Sequence, residues 1–269
     1  MQTFQFPEPG PAGAISEVAF YNSIQDVPMF RLNEFQIHLC QDAGIGSTLL
    51  DWDKRLENVN ASLAAGDVAN ATTELYNARL GMFLLFDSVS TVARCLADVV
   101  FSINGQPITD FSNDGLLQVH RLLMQRLSNG QAVEILDTLK KKFKRELKVG
   151  FPSLFSDDDE LQFYANIVRR ALLQIQDAQS NATEQSAEIS QIDKWLREEM
   201  KPENFDFSNP KNAVDSKRRD FEQVCTALAI SGIANAELLS AYKFHSRIQY
   251  LNQHKNPKQN DKLSSELPG

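Results

Sequence analysis

Residues 49–66 read LLDWDKRLENVNASLAAG. Leu49, Trp52, Leu56, Val59 and Leu63 recur three and four apart. That spacing puts all five on one face of a helix, because about 3.6 residues complete a turn. Ser47 or Thr48 can cap its start, and Gly66 ends it. The same rhythm runs outward in both directions. Upstream, Leu32, Phe35 and Leu39 repeat it, Ile37 and Cys40 widen the stripe, and Gly44 and Gly46 stop that helix. Downstream, Asp67 is placed to cap a third helix, Val68 to Asp98. From Met82 onward that helix is apolar on more than one face (Phe83, Leu84, Leu85, Phe86, Val89, Val92). Such a helix is expected to be central and buried.

The pattern changes at Val99-Val100-Phe101-Ser102-Ile103, which is β-branched and aromatic. Asn104-Gly105 follows, then Gln106-Pro107-Ile108-Thr109. Asn-Gly between apolar runs signals a hairpin, since both residues tolerate positive φ. Pro107 has no N–H to give a ladder, so its strand is an edge. The sequence signals no other strand.

Helices resume at Leu116–Leu127 and Ala132–Lys148, with a junction at Gly150–Ser156. Asp157-Asp158-Asp159-Glu160 then opens a helix with negative charge at its positive end. This helix is expected to run from about Asp159 to Met200. Ile175, Ala178, Ala182, Gln185, Ile189, Ile192 and Leu196 alternate four and three apart in it, which is heptad spacing. The seam fits an antiparallel helical pair, a contact with another subunit, or one face of an ordinary bundle helix. Lys201–Asn212, with Pro202 and Pro210, reads as a linker, and Ala213–Ile230 and Asn235–Gln253 as a final helical pair.

The expected class is therefore all-α, a helical bundle with one small β-hairpin near 99–110 and a long helix in the second half. Its expected parts are a flexible arm (1–15), a helical domain with the hairpin (16–150), the long helix (151–200), the helical pair (201–254) and a disordered tail (255–269). At 269 residues, 42% of them hydrophobic, the chain can bury a sizeable core. The N-terminal residues lack the basic and apolar regions of a secretion signal. Without one, the Asn-x-Ser/Thr sites at Asn60, Asn70 and Asn181 read as chance. Asp87, Arg94 and Asp98 interrupt the most apolar stretch, Leu80–Ile103, and a charge at mid-bilayer costs roughly 3 kcal/mol. Cys40, Cys95 and Cys225 are far apart and form no Cys-x-x-Cys pair, so they read as small buried hydrophobes in a reducing compartment.

Chemistry is sparse. No phosphate-binding, dinucleotide, nucleophile-elbow or His-Glu-x-x-His motif occurs. Gly44-Ile45-Gly46 lies between helices, with no strand to aim it at a phosphate. His38, His120, His245 and His254 share no helix face with a second strong ligand, so the expectation is no catalytic residue, no cofactor and no metal. The strongest charge feature is Lys140, Lys141, Lys142, Lys144, Arg145 and Lys148 on one helix. This basic face on a chain of net charge −8 reads as a solvated helix end or as a dock for an acidic partner. Nucleic acid is disfavoured by the net charge and by the lack of interleaved aromatics. The candidate partner-binding residues are these cations together with Ile175, Ile189, Ile192 and Leu196.

Three groups of segments together resemble helical assembly proteins of tailed bacteriophages. The first is Ser23–Pro28 leading into Phe35–Leu39 and Asp42–Gly46. The second is Leu96–Asp110, reading LADVVFSINGQPITD. The third is Phe221–Cys225 with Tyr242–Leu251. The chain is similar to the small helical proteins encoded near phage tail genes, including tail assembly chaperones. That resemblance implies a non-enzymatic protein of the host cytoplasm that binds tape-measure or tail-tube subunits and keeps them assembly-competent. The alternative, which fits the sequence nearly as well, is a virion component of the same neighbourhood, a neck, ring or cargo protein that forms an oligomer. An enzyme whose site no motif announces is the third reading. It would require a deep polar pocket with converging ionisable groups.

Overall fold

The computed structural model of the chain describes residues 1–6, 16–46, 48–87, 89–155, 158–180, 185–199 and 201–254. Among these it holds ten α-helices and one four-stranded antiparallel sheet. The fold is mainly helical with a small β element, as the hydrophobic spacing predicts. The remainder of the expected tail, 255–269, and residues 7–15 of the expected arm lie outside the described residues.

The expected hairpin is present as β3 (Val100–Ile103) and β4 (Gln106–Pro107), with Asn104 at φ 50° and Gly105 at φ 74°. The sheet is larger than the hairpin, because β1 (Gln2–Gln5) and β2 (Glu17–Phe20) extend it in the order β1-β2-β3-β4. Residues 2–5 are thus a strand and not a loose arm. Phe4 packs edge-on against Phe20 at 5.7 Å, and Phe6 also joins the core. That alternation over QTFQF is too short to stand out in the sequence. The Asn104 side chain adds a second role to the turn. Its Oδ1 accepts from Ser16 N at 2.7 Å and Glu17 N at 3.1 Å, which fixes the start of β2.

α1 (Met29–Ile45) ends where Gly46 takes φ 73°, and α2 (Leu49–Ala64) starts with a reciprocal cap between Thr48 and Asp51. The expected third helix is two. α3 (Val68–Phe86) begins at the Asp67 cap, and α4 (Thr91–Asp98) begins at Ser90, whose Oγ accepts from Ala93 N at 3.2 Å. Their axes differ by 80°. The hydroxyl of Ser90 offers the backbone a fresh helix start, and Thr91 hydrogen-bonds Asp42 on α1. α4 is the central helix: Thr91, Ala93, Cys95, Leu96, Ala97 and Asp98 are buried. Among the described residues no single helix is long and apolar enough to cross a membrane.

α5 (Asn113–Arg126) and α6 (Asn129–Gly150) follow, the latter capped reciprocally by Ser128 and Gln131. α6 buries Ala132, Ile135, Leu136, Leu139, Phe143 and Leu147, each large side chain contributing roughly 1.5–3 kcal/mol. A 3-10 turn (Pro152–Phe155) closes this half.

The expected long helix is also two, α7 (Asp158–Ser180) and α8 (Ser186–Glu199). They fold back on each other through ion pairs of Arg169 with Glu188 and Arg170 with Asp193. On one straight helix residues 169 and 188 would stand about 28 Å apart. Ala178 is exposed and Gln185 only half-buried, so the expected seam has little to hold it as one long helix.

Residues 201–212 are not a loose linker. Phe205 is buried under α1, Asn77 on α3 donates to Glu203 O at 2.9 Å, and its Oδ1 accepts from Phe205 N at 3.2 Å. α9 (Ala213–Ile230) and α10 (Ala241–His254) then join the main core through Leu228, Ala241 and Phe244. Backbone bonds from Met29 N to Leu239 O (2.8 Å), Ala241 N to Val27 O and Tyr242 N to Ile24 O (both 2.9 Å) fasten α10 to the entry of α1.

Candidate functional site

The six cations of α6 share a solvent-facing side. Lys140, Lys141, Lys144, Arg145 and Lys148 are exposed and Lys142 is half-buried. The acid among them is turned away. Glu146 Oε2 accepts from Ser23 Oγ and Ile24 N, both at 2.9 Å, and so holds the loop before α1. The structure brings the cations together but leaves the heptad residues divided. Ile192 is buried in the α7–α8 pair, Ile189 and Leu196 are half-buried, and Ile175 is 53% exposed on the outside of α7. Most of the expected seam is therefore internal to one hairpin. Ile175 instead belongs to an outer apolar stripe with Val168 and Leu172, spaced four and three apart.

A larger stripe lies on α3, where sequence reasoning places a buried helix. This helix is inverted. Its buried residues are Ala71, Glu74, Asn77, Ala78 and Gly81, small or polar. Its outward face carries Val68, Thr72, Leu75, Arg79, Phe83 and Phe86, spaced four, three, four, four and three apart and all exposed. Phe86 is 77% exposed, and Phe83 is 54% exposed with the Arg79 guanidinium 5.6 Å from its ring centre. The inward face is small because neighbours come close: a Cβ at Gly81 would stand 3.2 Å from Ile45 Cγ2. Inward polarity is satisfied, since Glu74 accepts from Asn58 Nδ2 at 3.1 Å and faces Arg55. α2, which packs along α3, has no buried residue, and Leu49 and Leu50 at its start are exposed. The α2–α3 pair thus presents exposed apolar side chains on its outward face. A globular protein places such residues against a core or a partner.

A separate polar pocket of about 470 Å³ opens between α1, α4, α5 and α9. At its floor His38 Nδ1 lies 2.6 Å from Asp98 Oδ2, and Arg94 Nη2 lies 3.1 Å from His38 Nε2. A guanidinium only donates, so Nε2 accepts, and the ring proton on Nδ1 is donated to Asp98. The atom that such a dyad would use as a base is therefore already occupied. Arg31 secures the same helix end, its Nε donating to Asp98 O at 2.5 Å and its Nη2 to Ala97 O at 3.0 Å. Two further pocket residues are buried without partners: the Gln41 amide nitrogen and both ring nitrogens of His120.

Burial dominates the electrostatics here. It raises the Asp98 carboxyl above its ordinary range, against the opposing pull of His38. It lowers Arg94, and it lowers Arg31 to about 10. It also lowers His120, with the Ser90 backbone nearby offsetting part of the shift without a well-formed hydrogen bond. The three thiols are free, and burial raises each of them, Cys95 furthest.

His38 is hydrogen-bonded through both ring nitrogens, whereas neither ring nitrogen of the buried His120 makes a well-formed hydrogen bond. The pocket's signal in the sequence was faint: Arg94 and Asp98 one turn apart, and His38 and Gln41 within an apolar stripe. Among the described residues no group of three or more His, Cys, Asp or Glu side chains is arranged to hold a metal ion. No family model matches this chain, and no curated protein or solved structure matches it.

Proposed function

We propose that this chain is a non-enzymatic protein that holds another protein against its surface. Following the resemblance, we assign it to tail or virion assembly in a tailed bacteriophage, working in the host cytoplasm on tail-tube or tape-measure subunits. The observation that carries the binding part of this reading is the inverted α3, with Val68, Leu75, Phe83 and Phe86 facing outward. Burying four such side chains on a partner is worth several kcal/mol, at roughly 1.5–3 kcal/mol each before ordering costs. The exposed α6 cations, on a separate helix, favour an acidic partner and speed its approach. The occupied base in the His38–Asp98 pair supports the non-enzymatic part.

The alternative is a structural virion component, a neck, ring or cargo protein, in which another copy covers the stripe. The second outer stripe, Val168, Leu172 and Ile175 on α7, favours it, because a ring subunit needs two contact faces. Mass spectrometry of purified particles against infected-cell lysate separates the two. The chaperone reading expects the chain in lysate and its absence from particles. Many copies per particle would establish the virion reading in its place. A lysate in which the chain never co-fractionates with phage proteins would refute both.

A further inference from the structure

We propose that the groove between α1, the loop before α5 and α9 receives the basic end of α6 from a second copy of this chain, in a head-to-tail contact. This goes beyond the α3 reading and uses none of its residues.

The groove measures about 790 Å³. Its apolar walls are Phe30 on α1, Phe111 before α5, Phe221 on α9 and Leu238 in the 3-10 turn Ala236–Leu238. Phe30 meets Phe111 edge-on at 5.2 Å, and the Arg31 guanidinium lies 4.5 Å over the Phe111 ring, so the aromatic wall is held in place. Leu238 is nonetheless 61% exposed and Phe111 39%. Large apolar side chains exposed around a concave surface mark an interaction site. The charge of the groove is acidic. Glu34 is matched by Arg218, Nε to Oε1 at 3.0 Å and Nη2 to Oε2 at 2.7 Å. Glu222 and Glu237 form no ion pair among the described residues. Both act on the Cys225 thiol in the groove, which burial first and then Glu237 and Glu222 push up. The groove therefore suits apolar side chains flanked by cations.

The chain carries such a surface itself. Lys141, Arg145 and Lys148 stand four and three apart on the exposed side of α6 and form no ion pair among the described residues. Val149, four residues after Arg145, is 79% exposed, and Leu154 in the following turn is 51% exposed. One chain cannot bring its own two surfaces together. Phe35 on α1 meets Phe143 on α6 at 5.7 Å. Asn33, which lines the groove, stands about 200° from Phe35 around α1. Lys141 and Arg145 likewise stand about 200° from Phe143 around α6. The groove and the cations thus face away from each other across the α1–α6 contact, and the matching surface comes from another copy. A contact between two different surfaces leaves one of each free, so it repeats from copy to copy.

The test is sedimentation velocity on the full chain across a range of concentrations, at low and at high salt. The wild type should self-associate at low salt and less so at high salt, because exposed charges are screened before they meet. Arg145→Glu with Lys148→Glu should lower the association constant by about tenfold or more, and so should Glu222→Lys with Glu237→Lys. An equimolar mixture of these two variants should associate again. The reversed groove of one then meets the reversed α6 of the other, and their unchanged surfaces also match. Lys54→Glu with Lys194→Glu makes the same change in net charge at exposed positions elsewhere and should associate as the wild type does. The proposal is overturned if either groove or α6 variant associates as tightly as the wild type, if their mixture stays monomeric, or if the Lys54, Lys194 variant loses association equally. A wild type that is monomeric at both salts also overturns it, and leaves the α3 reading standing.

Discussion

Phe205 lies directly over Gly44: a Cβ built on Gly44 would stand 2.1 Å from Phe205 Cε2. Gly44, in the last turn of α1, is therefore a seat for an aromatic ring, and residues 201–212 are bound down through it. Gly44→Ala is expected to lose about 1–3 kcal/mol, because the ring must move from a filled site and the small gain in helix propensity is outweighed. Gly130→Ala, where a Cβ meets nothing within 4 Å, should stay within about 0.5 kcal/mol of the parent. Urea unfolding of both variants checks the contrast.

His38 is the hydrogen-bonding partner of a carboxylate that is 2% exposed. His38→Ala strips the hydrogen-bond donor from the buried Asp98 carboxyl, at an expected cost of about 1–3 kcal/mol. Replacing both residues with apolar ones of similar volume should recover much of that loss. If the double variant is as unstable as the single one, the pair is not what the burial of Asp98 depends on.

Stability should fall on mild acidification. Burial depresses both His120 and His245 below the ordinary 6.5, so each is neutral when folded and takes up a proton more readily when unfolded. Their contribution is complete above about pH 6.5 and is lost as pH falls through the depressed folded values. Denaturant midpoints should therefore drop between neutral pH and the mildly acidic range. The drop should be smaller in a variant carrying His120→Phe and His245→Phe.

Glu146 and its basic neighbours should behave oppositely. Glu146→Ala strips the acceptor from Ser23 Oγ and Ile24 N and is expected to cost about 1–3 kcal/mol. Lys140→Glu and Lys141→Glu, on the exposed side, should each change stability by less than about 0.5 kcal/mol. Any partner held by the basic face should then bind more weakly, and its affinity should depend less on salt.

What was legible in the sequence follows the reach of each signal. Turn and cap chemistry is local, so the Asn104-Gly105 hairpin, the Thr48 and Asp67 caps and the Ala213–Ile230 helix could be read directly. Breaks within apolar runs could not. α4 starts anew at Ser90, and Thr91 beside it meets Asp42 across the fold, a contact with no local trace. The same holds for Gly44, whose role depends on Phe205, and for β1, which needs β2 to be a strand. The candidate sites divide in the same way. The α6 cations stand out within residues 140–148 of the sequence, whereas the pocket draws His38, Arg94, His120 and Arg218 from four helices. Burial at α3 was misjudged because composition reports how apolar a helix is and not whether its own fold covers it.

The central claim is that the outward face of α3 holds a partner. The direct measurement is co-expression with a tail-tube or tape-measure subunit as the proposed partner, followed by quantifying how much of that subunit stays soluble and co-purifies. The wild-type chain should keep it soluble in a stoichiometric complex. A Phe83→Gln, Phe86→Gln variant, changed only at exposed positions and equally stable to within about 0.5 kcal/mol, should not. Equal solubility of the subunit with the wild type, with the variant and with neither would contradict the account.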